Sequence, residues 1–129
     1  MQEVDPGHKY QLDVYDDNTD GFFEHVTFMK REGPKYPGNV GHHPGTNIQE
    51  VLRACIERMK YLDAQDHDHL NKDIMHSLRH ALYLLELRAA RRHNLVIPSM
   101  RQLPEDIETL ATCRTCGHLY CMEEDHYHG

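Results

Sequence analysis

Three of the chain's four cysteines lie within nine residues of one another near the C-terminus, in the stretch CRTCGHLYCMEEDHYH. Two of them form a C-x2-C turn followed by glycine, an arrangement that directs two thiolates at one metal ion. A third cysteine and a histidine can complete a tetrahedral shell for zinc. The predicted ligands are Cys113, Cys116, Cys121 and His126. His118 and His128 are alternatives for the fourth position.

This predicted zinc site has four protein ligands and no open position for a substrate water, which favours a structural role over a catalytic one. Zinc would then fold a segment that is too short to fold alone. The alternative is a tail with idle thiols or a redox pair. The fourth cysteine, Cys55, falls within a helical pattern, where we predict a small buried thiol.

A second group of chemically active residues occupies the stretch LRHALYLLELRAARRHN, residues 78–94. Four of the chain's nine arginines stand here with one acid, Glu86, although the whole chain carries a net charge of −7. One set of these residues shares a helix flank that differs from the flank of Leu78 and Leu82: His80, Leu84, Leu87, Arg88 and Arg91. We expect its leucines to contact another copy of the chain, rather than the N-terminal strands or the tail. The alternative for the arginines is that they complement the helix dipole in solvent.

Two helical patterns position these arginines. The first begins at TNIQ, where Thr46 and Gln49 are predicted to form a capping box, and it ends near Asp63. Its predicted core face consists of Ile48, Val51, Leu52, Cys55, Ile56, Met59 and Leu62. The second pattern runs from about His69 to His93. Its predicted core face consists of Ile74, Met75, Leu78, Ala81, Leu82, Leu85 and Ala89. The short polar connector predicts an antiparallel helical hairpin.

Shorter elements flank the hairpin. KYQLDVY and FFEHVTFMK have the composition and partial alternation of short strands. The segment REGPKYPGNVGHHPG contains so many glycines and prolines that we predict a long loop. PEDIETLATC predicts a short third helix with Pro104 in its first turn. The predicted fold class is α+β, with short N-terminal antiparallel strands, a long antiparallel helical hairpin and a small Cys/His-rich C-terminal tail.

The composition limits the classes of function. A chain of 129 residues has room for one domain with a modest core. No apolar run approaches the roughly 20 residues that span a bilayer. The polar start MQEVDPGHKYQ lacks the apolar centre of a secretory signal, so we expect a soluble intracellular protein. The negative net charge argues against long DNA or RNA as a partner, but it leaves room for a small anion in a local basic pocket.

Three segments together form a recognisable pattern that covers roughly Val26 to Asn94: EHVTFMKREGPK, EVLRACIERMKYLD and LNKDIMHSLRHALYLLELRAARR. The positions that carry it are Thr27, Phe28, Gly33, Pro34, Arg58, Asn71, Leu78, Ala81, Leu82, Leu85, Arg88 and Arg92. The pattern resembles the helical-hairpin family of phage anti-CBASS and anti-Thoeris sponge proteins. The chain departs from that family in the extra KRE after the strand, in Leu84 where the second helix often has an aromatic residue, and in its cysteine tail.

The resemblance implies a non-catalytic protein that binds a cyclic oligonucleotide or a cyclic ADP-ribose derivative, the alarm signal of a bacterial defence system. It also implies a homo-oligomer, often a hexamer in this family, with pockets between protomers, acting in the cytoplasm of the infected host. Arginine donates to phosphates in a planar fork, aromatic rings stack on purines, and Asn or His can bond ribose hydroxyls. The ligand-binding residues predicted on this basis are Arg88, Arg91, Arg92, Asn71, Tyr83, His80, Arg58 and Tyr61. We therefore assign residues 1–103 to a ligand-binding part and residues 104–129 to the short helix and the zinc-binding tail.

Two other functions are compatible with the sequence. One is a zinc-stapled adaptor in which the same flank of the second helix docks a protein partner. The other is a metal-dependent hydrolase that uses the histidines of GHHPG and DHDH. The hydrolase is disfavoured because His42 and His43 precede a Pro-Gly turn and the DHDH histidines lie in a connector, so no helical H-x-x-x-H pair forms with an acid.

Overall fold

The computed structural model describes residues 1–16, 23–31, 42–92, 94–99, 107–110, 112–114 and 117–119. The chain divides into two compact units, Met1–Ile48 and Gln49–Gly129. The first unit holds the strands and the second holds almost all of both long helices. The α+β class and the helical hairpin predicted from the sequence are therefore confirmed. The division into residues 1–103 and 104–129 stays a prediction.

A three-stranded antiparallel sheet forms most of the first unit. Its strands are β1 (Gln2–Asp5), β2 (Lys9–Leu12) and β3 (Glu24–Thr27), in the order β1-β2-β3. The Tyr10 ring packs edge-on against Phe28, with ring centroids 6.1 Å apart. β2 and β3 lie within the two strands predicted from the sequence, whereas β1 lies in a polar segment without apolar alternation.

A second, two-stranded ladder corrects the prediction of an uninterrupted loop after the third strand. β4 (Lys30–Arg31) pairs antiparallel with β5 (His42–His43). Residues 32–41 lie outside the described residues. Glycine and proline density predicts turns well, but it does not prevent the two ends of such a segment from pairing as a hairpin.

Gly45 allows two backbone segments of the first unit to approach closely. A Cβ atom at this position would lie 2.5 Å from the backbone N of Met29, closer than real side chains come. The Met29 N–H donates to the Thr46 carbonyl at 2.8 Å, and the Thr46 N–H donates to the Thr27 carbonyl at 2.8 Å. The segment before the first long helix is thereby hydrogen-bonded to the end of β3.

Two long helices form the hairpin of the second unit. They are α1 (Ile48–Gln65) and α2 (Leu70–Arg92), joined by four residues. The Asp68 side chain accepts a hydrogen bond from the Leu70 N–H at 2.9 Å, which satisfies one of the unpaired donors at the start of α2.

The predicted capping box at the start of α1 is wrong. Helix α1 begins at Ile48, so Asn47 and not Thr46 precedes its first residue. Gln49, predicted to reach back to the cap, is only 5% exposed, and its amide hydrogen-bonds to His118. This residue therefore faces the C-terminal segment instead of the helix start.

The core of the second unit joins three elements. Ile56 of α1, Leu82 of α2 and Ile107 of a short 3₁₀ helix (Ile107–Thr109) form one cluster of buried side chains. Leu52, Leu78, Tyr83, Leu110 and Leu119 pack against it. This 3₁₀ turn lies within the third helix predicted from PEDIETLATC, whose first residues fall outside the described part of the chain.

The predicted core face of α2 agrees with the structure better than that of α1. On α2, Met75, Leu82 and Ala89 are buried as predicted, although Ile74 is 42% exposed. On α1, the buried residues are Gln49, Arg53 and Ile56, whereas Ile48 is 52% exposed.

Cys55, predicted as a buried thiol, is exposed. The reason is that Gln49 and Arg53 turn towards polar partners on α2 and the C-terminal segment. The buried face of α1 is therefore displaced about the helix axis by one residue step, ~100°, from the face that its apolar stripe predicts.

Glu108 of the 3₁₀ helix joins both long helices. Its side chain is 1% exposed and accepts hydrogen bonds from Arg79 of α2, from Nε at 3.1 Å and from Nη2 at 2.9 Å. Lys60 of α1 places its Nζ atom 2.6 Å from the same carboxylate. Burial alone would raise the pKa of Glu108, but the bonds from Arg79 and Lys60 outweigh it and lower the pKa from 4.5 to about 2. The bond to Glu108 also raises the pKa of Lys60.

Candidate functional site

The outer side of α2, opposite the core, carries a shallow depression with a volume of about 480 Å³. Its lining defines the Arg/Leu surface: Leu84, Leu87, Arg88, Arg91 and Arg92. Because α2 has 3.6 residues per turn, these positions form one patch over its last turns. The structure therefore brings together the three predicted arginines and the two leucines of the second flank.

The exposure and charge of the Arg/Leu surface suit an anion with an apolar body. Leu84 is 49% exposed, and all three guanidinium side chains are exposed. Within the part of the chain that the structure describes, Arg88 and Arg91 form no ion pair. Exposed guanidinium groups without an ion pair can donate paired hydrogen bonds to phosphate, while the leucines offer an apolar surface for the face of a base or for a ribose.

Arg58 and Tyr61 of α1 form a pair of their own. The Arg58 guanidinium carbon lies 5.2 Å from the centroid of the Tyr61 ring, and both side chains are exposed. The Tyr61 hydroxyl accepts a hydrogen bond from the Gln65 amide at 3.0 Å. The cation–π contact uses one face of the ring, so the other face is the one that could stack on a purine.

Tyr83 and His80 of α2 have different surroundings. Tyr83 packs against the core, and its hydroxyl donates to the Pro98 carbonyl at 3.1 Å. Its ring therefore acts mainly in packing. His80 is exposed one turn before Leu84, and its ring centroid lies 6.4 Å from that of His76. Of these two residues, His80 lies next to the Arg/Leu surface.

Asn71 is placed far from the arginines and is engaged in the connector. It is 9% exposed, and its amide donates to the Asp63 side chain at 2.9 Å and to the Asp66 carbonyl at 3.4 Å. The 17 residues to Arg88 correspond to about 25 Å of helix. Within one chain, the structure does not bring Asn71 to the Arg/Leu surface.

Asn71→Ala is expected to lower the free energy of unfolding by about 1–2 kcal/mol, because it leaves the Asp63 and Asp66 acceptors of the connector without this donor. Urea unfolding followed by circular dichroism measures the loss. Lys72→Ala, a change at the adjacent exposed position, should alter stability by less than about 0.5 kcal/mol. Equal effects of the two substitutions would contradict the role of the Asn71 amide.

A buried polar cluster between α1, α2 and the C-terminal segment was missed by the sequence analysis. Glu86, with a 1% exposed side chain, accepts the Leu119 N–H at 3.0 Å, and its other oxygen lies 3.9 Å from Arg53 Nη2. The Gln49 amide lies 3.0 Å from His118 Nδ1, which is 3.9 Å from Glu86. Burial raises the pKa of Glu86, against the opposing effects of the Leu119 N–H, Arg53 and Gln49. The available signal was the spacing of Gln49 and Arg53, which places two polar residues on one face of α1.

The cysteine cluster is only partly within the described residues. Cys113 is 2% exposed; its carbonyl accepts a hydrogen bond from the Gly117 N–H at 2.7 Å, and its N–H donates to the His118 carbonyl at 3.0 Å. Three of the predicted zinc ligands, Cys116, Cys121 and His126, lie outside the described residues, as does the alternative His128. Among the residues that are described, no group of three metal-ligating side chains is brought together.

Comparisons of the chain with protein-family models, with curated proteins and with solved structures found no match. Within the described ranges, neither long helix is sufficiently apolar to cross a lipid bilayer. The function proposed below therefore rests on the geometry of α2 and on the resemblance of its sequence.

Proposed function

We propose that this chain is a non-catalytic binding protein that sequesters a small cyclic nucleotide signal, either a cyclic oligonucleotide or a cyclic ADP-ribose derivative. The observation that carries the proposal is the convergence of three arginines and two leucines around one depression on α2. Phosphates would bind the guanidinium groups, and the leucines would contact the ribose or the base. None of the lining residues that the structure describes is a nucleophile or a general base, which is in keeping with binding without chemistry.

The biological setting of the proposal comes from the resemblance described above. In that setting a phage encodes the protein, and it acts in the cytoplasm of the infected bacterium to keep a defence effector silent. The depression is shallow and lies on one protomer, so a second copy of the chain would be needed to enclose the ligand. A homo-oligomer, such as the hexamers of the resembled family, would supply that copy. Polymeric DNA and RNA are not expected partners, because the chain as a whole is acidic.

Arg88→Glu is expected to weaken ligand binding roughly 100-fold, because it removes charge-assisted hydrogen bonds and adds a negative charge beside the phosphates. The measurement is the rise in melting temperature with a cyclic dinucleotide, a cyclic trinucleotide and a cyclic ADP-ribose isomer. The wild-type protein should be stabilised by at least one of them, and the variant should lose that shift.

Lys72→Glu is the matched control, because it makes the same change of charge on the same helix outside the Arg/Leu surface. It should retain the ligand-induced shift. The ligand should also be recovered chemically unchanged after the protein is denatured. Altered ligand would indicate a hydrolase, and the absence of a shift with all three compounds would favour the protein-binding adaptor. A shift that survives in Arg88→Glu would overturn the assignment of the site.

A further inference from the structure

Two histidines lie one turn apart on the exposed side of α2. His76 and His80 are both exposed, and their ring centroids are 6.4 Å apart with an angle of 52° between the ring planes. Within the described ranges of the chain, no hydrogen bond or ion pair engages either ring. His67 and His118 differ, because hydrogen bonds join the first to Asp63 and the second to Gln49. The ring nitrogens of the α2 pair are therefore available to a ligand.

The spacing of this pair suits the chelation of one metal ion. Side chains four residues apart on a helix are neighbours, and two histidines at this interval on one helix face can bind the same zinc ion. With zinc–nitrogen distances of about 2.0–2.1 Å, the ring centroids in such a chelate are about 5 Å apart. The rings of His76 and His80 must therefore approach by only about 1 Å, which small rotations of two exposed side chains can provide.

Helix α2 already fixes the backbone of both histidines. The pair lies near the middle of this 23-residue helix, and Leu78, between the two histidines, packs against the core cluster. Met75 and Leu82 on the same turns are buried. An ion bound by the pair therefore orders two side chains without having to fold the segment that carries them.

Asp73 adds a negative charge one turn before His76. Its side chain is exposed and forms no ion pair with any other described residue. The described residues bring no group of three metal-ligating side chains together, so Asp73 attracts a cation by its charge and is not a ligand. Lys72 is exposed beside it and partly offsets this attraction. Both effects are small because solvent screens them.

We propose that His76 and His80 chelate one Zn²⁺ ion on the outer side of α2. Imidazole nitrogens favour zinc over Mg²⁺ and Ca²⁺, which prefer oxygen ligands. Two protein ligands leave the remaining coordination positions to water. Because His80 lies one turn before Leu84 of the Arg/Leu surface, a phosphate bound at that surface can replace one of these waters. This last step rests on the proposed function, and it gives His80 a role through the metal ion instead of a bond to ribose.

The first experiment tests the metal site without any nucleotide. On addition of Zn²⁺, the ring NMR signals of His76 and His80 should shift together, whereas those of His25, an exposed histidine on β3, should not. Each ring reports on its own surroundings, so zinc bound by the predicted cysteine site does not enter the measurement. Mg²⁺ at the same concentration should leave the signals unchanged.

His76→Ala and His80→Ala should each weaken zinc binding at least about 10-fold, because even the loss of groups that only orient metal ligands has effects of this size. Asp73→Asn should weaken it only about two- to fivefold. In the His76→Ala background, Leu84→His rebuilds a pair four residues apart with His80 and should restore most of the affinity.

Three results would overturn the metal site. They are ring signals that do not respond to Zn²⁺, an affinity that is unchanged in both alanine variants, and a double variant that does not regain binding. An Asp73→Asn variant that loses zinc as fully as His76→Ala would contradict the assignment of two ligands.

The second experiment tests the contact between the ion and a phosphate. With Zn²⁺ present, His76→Ala should bind a cyclic dinucleotide about 10-fold more weakly than the wild type, because it lacks one charge-assisted contact. With a chelator present, the two proteins should bind it equally. Equal binding under both conditions would overturn this contact. Zinc binding by the histidine pair together with no binding of any cyclic nucleotide would instead overturn the proposed function and leave the metal site in place.

Discussion

Glu108→Ala is expected to lower the free energy of unfolding by about 3 kcal/mol. The side chain is 1% exposed, and its removal leaves Arg79 and Lys60 without their shared carboxylate. Both basic side chains are partly solvated, so the loss lies at the lower end for breaking a buried ion pair. Urea unfolding followed by circular dichroism at pH 7 measures it.

Glu57→Ala is the matched control for this prediction. Glu57 contacts the same Lys60 at 3.2 Å, but its side chain is 60% exposed. Surface ion pairs contribute about 0–1 kcal/mol, so this variant should be close to the wild type. If Glu57→Ala and Glu108→Ala destabilise the protein equally, burial does not distinguish the two carboxylates and the prediction fails.

The contribution of Glu108 should depend on pH with a defined sign. Its pKa in the folded protein is about 2, below the ordinary value of 4.5, because the bonds from Arg79 and Lys60 favour the ionised form. A carboxyl with a lowered pKa stabilises the folded state above its ordinary pKa, and this stabilisation is lost as the pH falls towards about 2. The difference between the wild type and Glu108→Ala should therefore be full above about pH 5 and shrink below it.

Glu86→Ala is expected to destabilise the protein by about 3 kcal/mol as well, for a different reason. The substitution leaves the Leu119 N–H without an acceptor and the buried Arg53 guanidinium without the nearby negative charge. Glu86→Gln also removes the charge near Arg53, but Arg53 keeps its ion pair with Glu50 at 3.2 Å. Because the glutamine keeps an oxygen for the Leu119 N–H and removes the cost of a buried carboxylate, this variant should change stability by less than about 1 kcal/mol. Chemical unfolding of both variants at pH 7 compares them. A Gln variant as unstable as the Ala variant would mean that the negative charge, not the hydrogen bond, is required.

The pH dependence at Glu86 should have the opposite sign from that at Glu108. Burial raises the pKa of Glu86 in the folded protein, so its ionised form costs stability. That cost is complete above the raised pKa, and it is lost as the pH falls from there towards the ordinary value of 4.5. As the pH falls, the wild type should therefore gain stability relative to Glu86→Gln. Over the same change in pH, it should lose stability relative to Glu108→Ala.

The periodicity of α2 predicted both its core and the position of the Arg/Leu surface. Leu82 and Met75 recur on one side and Leu84 and Arg88 on another, and this spacing alone determines which residues share a face. The strands β2 and β3 and the two-helix hairpin were predictable for the same reason. These are local patterns, so a single sequence contains them.

Contacts between distant segments were not predictable in this way. Gln49 and Arg53 looked like the solvent side of α1, but the packing of α2 places Glu86 near Arg53, and the return of the C-terminal segment places His118 against Gln49. The exposure of Cys55 follows from the same rotation of the helix. Polar side chains with partners tens of residues away follow no period of 3.6, so an apolar stripe is an incomplete guide to the buried face.

The long sequence separation of these polar pairs affects how the protein must be assembled during synthesis. Leu119 follows Glu86 by 33 residues, and Glu108 follows Arg79 by 29 residues. In a growing chain both helices are therefore synthesised before the groups that neutralise or hydrogen-bond their inward-facing charges. The nascent hairpin acquires its final stability late, and an incomplete translation product would expose these charges to cellular proteases.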